Sequence, residues 1–183
     1  MDEGVQREKL ESQIRDEFGR ILYTSTARYK QSDRLKQKDK IIKIVQICLS
    51  AITFSGILDI VLNLTPIPSV AIVIPSLFLI FIQIITWTTN HQLQAFQEYA
   101  SAEKLWVVRE EYKSLLTDFD SLSLSDIRDK RDILQSKTHE VNSNSSSIDN
   151  KSLKMARKSI KAQGDHSFSD DEINDLLPLG LRK

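Results

Sequence analysis

The chain has 183 residues, and its 25 basic and 25 acidic side chains cancel at pH 7. Formal neutrality gives no overall basicity that would argue for direct nucleic-acid binding, and a single cysteine, Cys48, excludes an intrachain disulfide framework or a thiol metal site. Charged residues make up 27% of the sequence, yet residues 60–97 contain no Asp, Glu, Lys or Arg, an asymmetry that marks a membrane protein.

The first element is an N-terminal arm over residues 1–40. Leu10, Ile14, Phe18, Ile21, Leu22 and Ser25 recur at three- and four-residue steps and lay an apolar stripe along a helix. It runs into a basic cluster of Arg28, Lys30, Arg34, Lys36, Lys38, Lys40 and Lys43, followed by the first membrane-spanning helix at residues 41–64. The 21 residues 44–64 make about 32 Å of helix, enough for a hydrocarbon core of about 30 Å. Twelve Ile, Leu, Val and Phe residues there contribute about −0.3 to −0.6 kcal/mol each, which outweighs about +2.5 to +3.5 for Asp59. Cys48 is expected to pack within this span.

Residues 65–69, a short proline-containing turn on the far side, lead to a second span at residues 70–90, which holds twelve further large apolar residues and no charge. Pro75 is tolerated in such a helix and predicts a kink. The helix is expected to continue for about 30 residues as a stalk over 91–136, with Leu93, Phe96, Ala100, Val107, Val108, Tyr112, Leu115 and Phe119 at helical spacing. Arm and stalk can bury their stripes against each other or against a neighbouring subunit. Residues 137–152, rich in Ser and Asn, read as a flexible linker. Residues 153–183 form a tail with short helices, including a capping box at Ser169 and the candidate docking residues Ile173, Leu176 and Leu177. The fold class is therefore an all-α membrane protein: a two-transmembrane helical hairpin with long cytoplasmic helical extensions and a partly flexible C-terminal tail.

Basic residues flank both spans on one side only, so both termini are predicted cytoplasmic. There is no glycine-rich phosphate loop and no glycine-flanked nucleophilic serine, and His91, His139 and His166 are scattered. No enzyme, catalytic residue, cofactor or metal is expected. The chemistry lies in polar residues within the spans: Ser76, Gln83 and Asn90, seven apart and bordered by Thr86, and Ser55, Asp59 and Asn63, four apart. Polar groups in hydrocarbon face a partner helix or a watery path, so these residues are either interhelical hydrogen-bonding groups or pore lining. Two helices offer no internal repeat for a transporter.

The order of Tyr23, Ala27-Arg28-Tyr29, Arg34-Leu35, two apolar helices, His91, Tyr99, Glu103-Lys104-Leu105-Trp106, Arg109-Glu110-Glu111-Tyr112 and Leu115-Leu116 resembles the SLATT family, the SMODS and SLOG-associating two-transmembrane effector domains. The tail Phe168-Ser169-Asp170-Asp171-Glu172-Ile173, with Leu177-Pro178 and Leu181-Arg182-Lys183, is similar to the branch often associated with reverse transcriptases. The resemblance implies a membrane effector of antiphage defence in the bacterial inner membrane. Such an effector would oligomerise into a pore when a cytoplasmic sensor is triggered. Its implied partners are the membrane, further copies of the chain, and a nucleotide-signalling protein or reverse transcriptase. The alternative is a non-conducting membrane anchor or adaptor that recruits a cytoplasmic partner.

Overall fold

The computed structural model describes residues 3–62 and 70–163, and all the elements among them are helical. The turn at 65–69, Asn63, and the tail residues His166, Ser169, Ile173, Leu176 and Leu177 lie outside the described residues. Helix α1 (Glu3–Leu62) runs unbroken for 60 residues, about 90 Å, through both the amphipathic arm and the first apolar segment. Nothing in its sequence stops it: proline is absent and glycine occurs only at Gly4, Gly19 and Gly56. Helix α2 (Val70–Thr88) continues through Pro75.

Helix α3 (His91–Thr117) does not simply prolong α2. The chain breaks at Thr89-Asn90, where the Asn90 side chain accepts a hydrogen bond from the Leu93 N–H (3.0 Å) and caps a new helix. The stalk thus restarts on its own N-cap, which differs from the single continuous helix that the apolar periodicity predicts. A short 3-10 turn (Phe119–Ser121) leads to α4 (Leu124–Ser143), capped by Ser123, whose hydroxyl accepts from the Asp126 N–H at 3.2 Å. Helix α5 (Asn150–Gln163) follows.

The first half of α1, α3 and α4 enclose a core of Leu10, Ile14, Ile21, Leu105, Val108, Tyr112, Leu115, Phe119, Ile127 and Leu134. The arm and stalk therefore satisfy each other within one chain. The stalk stripe is phased differently from the expectation. Val108, Tyr112, Leu115 and Phe119 point inward with Ala95, Ala102 and Leu105, whereas Leu93, Phe96 and Val107 are exposed on the other side of α3. Against α1 lies α5, where Ser152 and Ala156 are fully buried and the Tyr23 hydroxyl donates to the Leu153 carbonyl (3.1 Å).

Beyond the bundle, α2 runs antiparallel to the apolar half of α1. Gly56 sets the closest approach: a Cβ there would fall 2.6 Å from Ile72 Cγ1, so only glycine admits Ile72 at this distance. The outer faces of both helices are bare. Large side chains from Ile41 to Leu62 and from Val70 to Trp87 are exposed along their length, and among these residues only Gly56 is buried. These are not the core helices of a soluble domain, which would be covered. Cys48, expected to pack, is exposed on this surface.

Candidate functional site

Two polar regions fall where function needs them: the polar residues of the apolar pair, and the junction where that pair meets the bundle. Within the pair, Gln46 Nε2 donates to Thr86 Oγ1 (3.2 Å), and Thr86 in turn donates to the Ile82 carbonyl (2.8 Å). Thr86 is thus an interhelical group. Gln46, its partner, escaped the sequence reading because its own neighbours are apolar and lie close to the basic cluster. Ser76, partly covered, returns its hydroxyl to the Val73 carbonyl (2.8 Å), and Ser55 returns its own to Ala51 (2.9 Å). Such back-bonding satisfies a hydroxyl inside its own helix. Asp59 is half-buried beside Gly56, and Asn90 is occupied as the N-cap of α3. Gln83 differs from all of these. It is exposed, it lies outside the Gln46–Thr86 contact, and no hydrogen bond meets its amide among the described residues.

At the junction, the face of α1 that carries Leu10, Ile14 and Ile21 continues as Ser25, Arg28 and Ser32, all buried. Opposite them on α3 stand Ala95, Glu98 and Ala102. Arg28 Nη1 donates to Glu98 Oε2 at 2.8 Å, and their side chains are only 4% and 3% exposed. Gln31 Nε2 reaches the other carboxylate oxygen at 3.2 Å, and the Ser32 hydroxyl donates to the Ala95 carbonyl at 2.8 Å. Small residues here bring α1 and α3 close enough for the polar groups to pair directly.

The segment between α4 and α5 closes over this pair. The Ser146 hydroxyl donates to Glu98, its carbonyl accepts from Arg28 (3.2 Å), and the Ser147 carbonyl accepts from Gln31 (3.2 Å). The Asp149 N–H then donates to Gln31 Oε1 (2.8 Å), and the Asp149 carboxylate pairs with Arg34 and accepts from the Ser152 N–H (2.9 Å). Composition alone made residues 137–152 a flexible linker. In the fold, 137–143 belong to α4, 150–152 open α5, and the residues between form a strap tied to α1 and α3 by six side-chain hydrogen bonds. The sequence did hold two signals for it: a polar continuation of the buried arm face at Arg28, and the Asp149-x-x-Ser152 start of α5.

Ionisation follows these contacts. Burial by itself would raise the Asp149 carboxyl, but the Ser152 N–H, Arg34 and the Ser152 hydroxyl outweigh it and hold the group below the usual range. Burial, reinforced by the Glu103 carboxylate to which Tyr29 donates (2.9 Å), pushes the Tyr29 phenol well upward. Among the described residues no group of His, Cys, Asp and Glu could hold a metal ion.

This arrangement defines a class: an all-helical protein in which a helical bundle carries two long, bare apolar helices through a polar junction. The chain belongs to the SMODS and SLOG-associating 2TM effector domain family 4, whose family model matches residues 10–172. No curated protein and no solved structure matches it.

Proposed function

We propose that the chain is a membrane effector of a bacterial conflict system, one that assembles into a ring and opens a pore across the inner membrane when a cytoplasmic sensor is triggered. The observation that carries this reading is Gln83. An amide left bare in hydrocarbon costs about 2–7 kcal/mol, so its exposure on a helix whose hydroxyls are all satisfied calls for a partner outside the chain, either a second protomer or water. One pair of helices cannot enclose water, and a ring of several protomers can. The basic residues beside both apolar helices support a cytoplasmic bundle and cytoplasmic termini. The strap couples α1, which runs on into its apolar half, to α3, which follows the second apolar helix, so a sensor that displaces it frees α1 to move against α3. We assign docking of the partner, a nucleotide-signalling protein or a reverse transcriptase, to the tail residues Ile173, Leu176 and Leu177.

The test uses a potential-sensitive dye in bacterial cells producing the chain. Native protein, when triggered or overproduced, is expected to depolarise the membrane, and Gln83→Leu to abolish this at equal membrane abundance, because an apolar substitution favours insertion but dewets a pore. Depolarisation undiminished by Gln83→Leu removes this face from the path. If the native chain never depolarises, and generic Leu/Ala spans preserve its activity, the protein is an anchor.

A further inference from the structure

On the membrane side of the junction, a groove of about 680 Å³ opens between α1 and the start of α3, lined by Lys36, Asn90, Gln92, Leu93, Phe96 and Tyr99. Its two walls differ in chemistry. Leu93 and Phe96, 51% and 67% exposed, resume an apolar surface on α3 beyond the polar residues 88–92 at the helix break. Opposite them Lys36 lines the groove from α1, and Lys40 and Lys43 follow it at steps of four and three on the same helix face. Lys43 is tied to Asp39 (2.7 Å) and reaches Gln92 Oε1 (3.5 Å), and the Lys36 ammonium sits 5.0 Å over the Tyr99 ring, which itself meets Tyr29 edge-on. Lys36 has an aromatic contact and no carboxylate partner among the described residues, so its charge remains available.

We infer that this groove holds one anionic phospholipid of the inner leaflet, its phosphate on Lys36 and Lys40 and its glycerol and upper acyl chains on Leu93 and Phe96. This rests on the membrane reading above. Two features select the occupant. The apolar wall begins at Leu93, two residues into α3 and just beyond the end of α2, so the first carbons of an acyl chain reach it from the edge of the membrane. The basic wall lies on the side of the headgroups, where each lysine near an anionic surface favours binding. A soluble anion would use only the second wall, and a neutral lipid only the first. The bound lipid would wedge between α1 and α3, next to the strap.

Native mass spectrometry of the detergent-purified full chain, given equal amounts of phosphatidylglycerol and phosphatidylcholine, tests the site. The native chain is expected to retain one phosphatidylglycerol under activation that strips phosphatidylcholine. Lys36→Gln should lower that retention about fivefold. Lys38→Gln, which removes the same charge from another face of α1, should leave it unchanged. Phe96→Gln keeps every charge and should also reduce retention, which separates a lipid from a bare phosphate. Equal retention of both lipids, equal loss in Lys36→Gln and Lys38→Gln, or indifference to Phe96→Gln overturns the site. Alkaline carbonate washing distinguishes the two levels of failure: a chain that stays in the membrane pellet without lipid preference overturns the groove alone, and one that washes off overturns the membrane reading too.

Discussion

Helices α1 and α3 meet twice, in opposite chemistries. Far from the apolar pair they share Leu10, Ile14, Ile21, Leu105, Val108 and Tyr112; next to it they share Arg28, Gln31, Ser32 and Glu98. Apolar burial is non-directional and scales with area, so the far end supplies cohesion and tolerates small sliding. The buried ion pair contributes little net stability, because desolvation offsets its attraction, but it has only one satisfactory geometry. The near end therefore fixes the register in which α1 and α3 approach the membrane.

The largest expected effect breaks the near end. Glu98→Ala leaves Arg28 buried without its carboxylate and should cost about 3–5 kcal/mol in thermal or denaturant unfolding of the purified chain, whereas the double change Arg28→Met with Glu98→Leu should recover most of the loss. A double variant as unstable as the single would mean that the pair matters for stability rather than for register.

Ile14→Ala breaks the far end, with an expected loss of about 2–5 kcal/mol through the cavity it leaves. Hydrogen exchange sharpens the contrast: Ile14→Ala should speed exchange throughout the bundle, and Glu98→Ala chiefly in 95–102 and 145–152. Indistinguishable exchange patterns would refute the division into two regions.

Acid separates them without mutation. The Asp149 carboxyl is depressed in the folded chain, so its contribution is present above the unfolded value of about 3.9 and is lost as pH falls through the lower folded value. Exchange in the strap should therefore rise below about pH 4 before the apolar core responds. Asp149→Asn should remove that early acid phase.

The smallest effect belongs to Tyr112→Phe. The buried Tyr112 hydroxyl makes no well-formed hydrogen bond among the described residues, with Thr138 the polar side chain beside it, and burial pushes its phenol up to about 12. Removing the oxygen should change the unfolding midpoint little, or raise it. A marked loss would reveal a partner for the hydroxyl inside the apolar core.

The sequence by itself determined that the protein is helical, that apolar helical segments of membrane length lie within 41–64 and 70–90, and that the arm carries an inward stripe from Leu10 to Ser25. These are local properties: hydropathy and a 3.6-residue period belong to one stretch of chain and need no partner to be legible. Tertiary structure alone decided which polar groups are satisfied. Arg28 and Glu98 lie 70 residues apart, and Ser146 lies 48 beyond Glu98, so nothing in either neighbourhood announces the pairing. The same holds for Thr86 with Gln46, and for the strap, whose Ser/Asn composition reads as solvent-loving until buried donors and acceptors face it. Hydrogen bonds depend on angle and on distances near 3 Å, and only packing brings remote residues to that range.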